Sequence, residues 1–272
     1  MHPTIFQLGP VRLASYGLMV FFAFAFGLWL STVRARKVGI ESGKVMDLTM
    51  WILVSSIVGA RLTYVLFHLN EFQGRWLDAV NPLQSDGTVG IAGLVVLGGV
   101  ILAIPVSYWY LKRHNIPFLK MVDVMAPSLA FGIAIARIGC FLNGCCFGLP
   151  TDLPWGVIFP DICYAGSVFP DQHIHPTQLY AIIFNALFGV ILLLRTPHKR
   201  FDGELFYLFF LLYGTYRMLI ETIRYYRPSM VLFETGAFHF TVSMLASLLM
   251  TIAAVVLLLK GYRSAGGNID KG

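Results

Sequence analysis

Charge is what this chain has least of. Only 12% of its 272 residues are Asp, Glu, Lys or Arg, against ~25% in an ordinary soluble domain. The deficit excludes a solvent-covered globular surface and accompanies a mean hydropathy of +0.72. Low-complexity tracts are lacking, which excludes a compositionally biased, disordered protein. Internal repeats are lacking too, and this argues against the repeat-built design of many secondary transporters. The first apolar run has no basic leader, outlasts a signal core of about 7–15 residues and shows no small-residue cleavage site before Arg34, so it is expected to be retained. The four cysteines contain no Cys-x-x-Cys pair, which removes a common redox and zinc spacing.

What fills the chain instead is long apolar runs. Seven stand out, at about 11–33, 47–68, 88–111, 123–143, 176–195, 203–224 and 239–259, each near the ~20 residues that cross ~30 Å of hydrocarbon. They predict an all-α integral membrane protein with seven transmembrane helices in one polytopic domain, 1–272. Thirteen of the 20 Lys and Arg fall in one set of alternate loops and the tail, and three, Arg12, Arg75 and Arg227, in the other set. By the positive-inside rule the N-terminus lies outside and the C-terminus is cytoplasmic. The net charge of +6 is then a matter of topology, with anionic headgroups as secondary partners, and nucleic acid is not expected to bind. Residues 149–175 hold no Lys or Arg and are too apolar for a linker. Segment 148–175 is therefore expected to form a small outer head between helices 4 and 5.

Four arginines remain, Arg61, Arg137, Arg217 and Arg224, all inside predicted spans. Counting from Asp47, Asp123 and Gly203, the first three each lie fourteen residues along an outward-running helix, ~21 Å from its inner edge at ~1.5 Å per residue. An arginine within a span costs at least ~2.5–3.5 kcal/mol, so it turns inward and takes a partner. Glu221, four residues after Arg217, is the one carboxylate in reach. Three guanidinium groups at one depth are thus mostly uncompensated by protein, and an anionic lipid is the natural counter-charge. The planar guanidinium fork suits a phosphodiester because it binds two oxygens at once and stays charged.

At this point particular stretches resemble bacterial phosphatidylglycerol–prolipoprotein diacylglyceryl transferases. They are YGLM at Tyr16–Met19, GARLTYVLF at Gly59–Phe67, LGG at Leu97–Gly99, ARIGCFLNGCCFG at Ala136–Gly148, HPTQLY at His175–Tyr180 and LYGTYRMLIETIR at Leu212–Arg224. The resemblance covers essentially the whole chain, and it implies seven helices and a cavity open to lipid. It also implies transfer of diacylglycerol from phosphatidylglycerol to the lipobox cysteine of a preprolipoprotein signal peptide. Glycerol 1-phosphate is released, no cofactor or metal takes part, and the enzyme sits across many passes of the bacterial inner membrane. Functional positions carry over to Tyr16, Arg61, Gly98, Arg137, Asn143, Gly148, Tyr213, Arg217 and Glu221, and the expected substrate-binding set extends to Tyr64, Gly99 and Arg224. The chain departs from the family at Leu97, where relatives have His, and at Cys140 and Cys145, where they have Asn and Glu. A Gln common in the last helix corresponds to Met244.

The histidine missing at Leu97 is a candidate base. Ionising a thiol of pKa ~8.5 at neutral pH is worth only ~2 kcal/mol, whereas a donor aimed at the leaving phosphate is worth ~3–4 kcal/mol. Activity is therefore expected to survive, with Arg137 and Arg217 as the clamp. His175 and Tyr213 are both open as substitute bases. If neither serves, the rate should climb tenfold or more between about pH 7 and 9, as the thiol ionises unaided. The alternative is a non-catalytic relative that binds or flips anionic phospholipid. The cysteines read as structural, with Cys140 as packing and Cys145 or Cys146 stapled to Cys163.

Overall fold

Apolar runs become helices because backbone N–H and C=O groups shielded from water must be paired within the segment itself. The computed structural model describes residues 4–8, 11–72, 74, 76, 93, 95–226, 231–235 and 238–266. Its long helices are α1 (Ser15–Lys37), α2 (Ser42–Phe67), α3 (Val96–Arg113), α4 (Phe118–Asn143), α6 (Thr177–Arg195), α7 (Glu204–Glu221) and α8 (Val242–Gly266), with a short α5 (Tyr164–Val168) between α4 and α6. Among the described residues, five segments, α1, α2, α4, Thr177–His198 and α8, are long and apolar enough to cross a membrane. The other two long helices are shorter. α3 has 18 residues and ends on Lys112 and Arg113, and α7 has 18 and includes Glu204, Arg217 and Glu221.

Two expected spans begin later than their apolar runs. Residues 11–14 are strand β2 (Val11–Ala14), paired with β1 (Thr4–Leu8), and residues 239–241 belong to β4 (Phe238–Thr241), antiparallel to β3 (Val231–Thr235). Short runs rich in Val, Phe and Thr suit extended pairing as well as they suit a helix. The beginning of the third run, 88–92, and most of the connection 69–87, with Arg75, lie outside the described residues, as does Arg227.

The chain divides into two compact units. One comprises Gln7–Arg12 and Ser31–Met121 and is built on α2 against α3. Small residues let these two backbones approach closely. A Cβ on Gly98 would overlap the Thr63 side chain and stand 2.5 Å from the Gly59 carbonyl oxygen, and one on Gly99 would stand 2.8 Å from the Ser56 carbonyl oxygen. Near the other end of the pair, the Tyr110 hydroxyl donates to Asp47 at 3.3 Å. Gly98→Ala is expected to cost about 1–3 kcal/mol through overpacking, measured as a lower thermal midpoint in detergent. An unchanged midpoint would mean that the two helices part without penalty.

The other unit comprises Met1–Phe6, Leu13–Leu30 and Val122–Gly272. Its core joins α4, α6 and α7 through Ala126, Ala130, Phe188, Leu192, Leu205 and Phe209. At the start of α7 the free helix N–H groups are capped from α4. Asp123, 2% exposed, accepts Gly203 N–H at 2.8 Å, Phe206 N–H at 3.0 Å and Lys199 Nζ at 2.9 Å. Gly203 has φ +99°, a left-handed conformation that glycine adopts without a steric penalty. Buried Glu204 accepts from Arg195 at 2.7 Å, Tyr262 at 2.9 Å and Arg200 N–H at 2.6 Å. Segment 148–175 has its own small core of Phe159, Cys163, Ala165 and Ile174, against Phe147.

Candidate active site

Helix α4 ends in a turn that brings three cysteines to one place. Gly144 takes φ +66°, Gly144 N–H bonds Phe141 O at 3.2 Å, and Cys145 N–H bonds Cys140 O at 3.1 Å. This is the Schellman ending that a glycine after the last helical residue permits. Cys146 is also left-handed, at φ +62°, a conformation uncommon outside glycine and asparagine. The turn is held from α6. Thr177 Oγ1 donates to Cys146 O at 2.7 Å and Gln178 Nε2 to Cys145 O at 2.8 Å. The end of α7 holds it as well, since Leu149 N–H bonds Ile223 O at 2.8 Å and Tyr225 N–H bonds Phe147 O at 3.1 Å. Gly148 sits at this junction, where a Cβ would come within 2.6 Å of His175 Cβ and 2.7 Å of Ile223 O.

Beside the turn is a narrow, partly open cleft. Arg137 from α4, Tyr213, Tyr216 and Arg217 from α7, and Arg224 just beyond it line the cleft, together with Asn185 and Thr177 from α6 and Cys146. Arg217 forms an ion pair with Glu221, and both bond Ser243, at 2.5 Å from Arg217 Nη2 and 2.9 Å to Glu221 Oε1. Thr241 Oγ1 donates to the second carboxylate oxygen at 3.4 Å. Glu221 is thus fully engaged with its own neighbours. Among the described residues neither Arg137 nor Arg224 forms an ion pair with a carboxylate. Arg224 Nε and Asn185 Oδ1 are buried with no hydrogen-bond partner, although the Arg224 guanidinium lies 5.1 Å over the Tyr226 ring. Buried polar groups are rarely left unpaired, so a cleft with two uncompensated guanidinium groups is chemically suited to an anion with several oxygens.

The expected residues divide between the two units. Arg137, Tyr213, Arg217 and Arg224 come together at the cleft, with Glu221 behind Arg217. Tyr16 on α1 packs against α4 at Gly139, where an added Cβ would lie 3.0 Å from Tyr16 Cα. Asn143 is the last residue of α4. His175 does not line the cleft. Its Nδ1 lies 3.3 Å from the Tyr180 hydroxyl, and burial pushes its imidazole below the ordinary histidine value. Tyr213 stacks on Phe209 at 5.6 Å and, unlike His175, lines the cleft. In the other unit Arg61 is 8% exposed, donates to Gly93 O at 3.3 Å and lies over the Tyr64 and Phe72 rings at 5.7 and 5.2 Å. Gly98 and Gly99 lie there where α2 and α3 pack closely.

Sequence reasoning missed Asn185 and Thr177. Asn185 was detectable as the one amide in the middle of the sixth-helix apolar run. The expected staple is corrected outright, because all four cysteines are free thiols. Cys163 Sγ donates to Pro160 O at 3.0 Å, whereas the sulfurs of Cys140, Cys145 and Cys146 all lie within 4.8 Å of one another. The left-handed turn aims them inward, which no spacing rule foretells.

Comparison with known proteins gives the family. The family model for prolipoprotein diacylglyceryl transferase matches residues 3–260. The chain is 35% identical over 271 residues to the phosphatidylglycerol–prolipoprotein diacylglyceryl transferase of Aliivibrio salmonicida, covering 96% of this chain and 88% of that one. The protein of the same name from Clostridium tetani is 32% identical over 82% of this chain and 86% of its own length. That from Thermosynechococcus vestitus is 36% identical over 80% of each. With nearly the whole chain matched and the arginine cleft on residues the resemblance singles out, this chain belongs to the prolipoprotein diacylglyceryl transferase family.

Proposed function

We propose that this chain transfers the diacylglyceryl group of phosphatidylglycerol to the lipobox cysteine of preprolipoproteins, releasing glycerol 1-phosphate. The observation that carries the reading is the pair Arg137 and Arg224, which share one cleft without a carboxylate partner. A phosphodiester supplies the missing negative charge, and its phosphate becomes the leaving group. As the substrate sulfur bonds to the glyceryl carbon, the carbon–oxygen bond to phosphate breaks and charge gathers on the phosphate oxygen. Arginine donors fixed beforehand at that oxygen lower the barrier, because they need no reorganisation as the charge develops. Arg217 and Glu221 form the fixed wall of the cleft, with Ser243 locking both.

Seven membrane-spanning helices, the N-terminus outside and a multi-pass inner-membrane location complete the proposal. The distribution of Lys and Arg supports this topology. In this arrangement segment 148–175 faces the periplasm. Asp161 is exposed in that segment, so Asp161→Lys supplies its only lysine. An impermeant amine reagent is expected to label that lysine in intact spheroplasts, read by peptide mapping. Protection until the membrane is opened would reverse the orientation.

The direct test is incubation of the purified protein with phosphatidylglycerol and a lipobox peptide, with assay of glycerol phosphate and of the thioether product. Leu97, where relatives carry histidine, favours the second reading of a lipid binder or flippase without catalysis. Lipid binding with no thioether at any pH would select that reading.

A further inference from the structure

The three-cysteine turn is unexplained by lipid binding alone. We infer that Cys140, Cys145 and Cys146 form a zinc site, and that its remaining coordination position takes the thiol of the substrate cysteine beside the arginine cleft. The sulfurs already lie within 4.8 Å of one another. Three sulfurs on a tetrahedral zinc with Zn–S bonds of ~2.3 Å are ~3.8 Å apart, so small side-chain rotations close the set. Zinc matches the chemistry because thiolate ligands select soft or borderline cations. The turn is also built at a cost. Cys146 adopts a left-handed backbone that is unfavourable for a residue with a side chain, and two side chains of α6 hold its carbonyl and that of Cys145. Cys163, close in sequence, is kept out of the set by its bond to Pro160 O.

Ligand number points to an open position. The group comprises the three thiols alone, with no histidine or carboxylate among the described residues close enough to complete it. His173 and His175 are occupied elsewhere, with Gly156 O at 3.1 Å and Tyr180 at 3.3 Å. Three protein ligands and one exchangeable position are the pattern of catalytic rather than structural zinc. Charge agrees as well. Three thiolates and Zn²⁺ carry one net negative charge, offset by Arg137 and Arg224, which share the cleft wall with Cys146.

For the incoming thiol the inference rests on the function proposed above. A thiol on zinc gives up its proton, which passes to solvent. Its sulfur then forms the bond to the glyceryl carbon while the carbon–oxygen bond to phosphate breaks, and that electron pair stays on the phosphate oxygen. Zinc neither gains nor loses electrons. A base at Leu97 is then unnecessary.

The full-length protein, purified in detergent from zinc-supplied cells, is expected to hold about one zinc per chain by elemental analysis, the complement of one three-thiolate site. Cys145→Ser and Cys146→Ser should each lower that at least fivefold, with thermal midpoints reported alongside, and Cys163→Ser should leave it unchanged. Cobalt exchanged for zinc should show thiolate-to-metal absorption that shifts when a lipobox peptide is added and does not shift with its Cys→Ser counterpart. The transfer rate of zinc-loaded protein should be flat between about pH 7 and 9, while that of Cys145→Ser climbs tenfold or more. A folded protein that takes up neither zinc nor cobalt, or one with a disulfide within the trio, overturns the site. Bound copper in place of zinc overturns the identity of the ion. Transfer without metal would sink the site and leave the function standing, and metal without transfer would do the reverse.

Discussion

Arg137→Ala is expected to lower turnover at least a hundredfold in a protein that still folds and inserts. The cleft holds Arg137 without a carboxylate partner, so its removal breaks no ion pair and leaves no buried charge behind. The loss falls on the transition state, where one well-placed donor at a developing oxyanion is worth ~3–4 kcal/mol, or a factor of roughly 10²–10³. Arg137→Lys should recover little, because an ammonium is a point charge and cannot span two phosphate oxygens. The measurement is the rate of glycerol phosphate release at saturating phosphatidylglycerol, beside a thermal midpoint. Near-native turnover in Arg137→Lys would overturn the clamp, and a collapsed midpoint in Arg137→Ala would make the residue structural. Arg217→Ala is expected to fall as far in turnover, but with a loss of stability, because it strands Glu221 among Ser243 and Thr241.

The largest effect on stability is expected at Asp123, far from Arg137 along the same helix. Its carboxylate satisfies two backbone N–H groups at the start of α7 and the Lys199 ammonium, while only 2% exposed. Asp123→Ala removes a helix cap, worth about 1 kcal/mol, and strands the Gly203 and Phe206 N–H groups. An unsatisfied buried donor costs about 1–3 kcal/mol, while Lys199 keeps its ion pair with Asp202 at 2.8 Å. A net loss of roughly 2–4 kcal/mol is expected, measured as a lower thermal midpoint and faster unfolding in detergent. Asp123→Asn should be milder, since its amide oxygen still accepts one or two of those bonds. Equal midpoints for Asp123→Ala and the parent chain would mean that α7 needs no cap.

Apolar runs already located each long helix, although ends moved by as much as the shift of α3 from an expected start at 88 to Val96. They did so because a run of apolar side chains has few other ways to satisfy its backbone. They failed at 11–14 and 239–241, where Val, Phe and Thr pair as strands instead. Arg137, Arg217, Arg224 and Glu221 were legible because charge in an apolar run is costly enough to demand a reason, whereas Tyr213 came from the resemblance. Arg61 was legible as a buried arginine, yet its partners are the Gly93 carbonyl and two aromatic rings in the other unit. Gly98 and Gly99, expected from the resemblance in the substrate-binding set, are also where α2 and α3 touch.

The sequence by itself therefore determined where the long helices fall, roughly how far along each a charge lies, and that positive charge exceeds what nearby carboxylates can neutralise. Those quantities depend on local spacing, a fixed rise per residue and the cost of removing charge from water. Only the tertiary structure decided which faces meet. Rotation about a helix axis, the left-handed turn after Asn143 and the bonds from Thr177 and Gln178 are products of long-range packing. They moved Cys146 to the wall of the arginine cleft and drew Cys140 and Cys145 beside it, because a turn with two positive φ angles reverses the chain within a few residues.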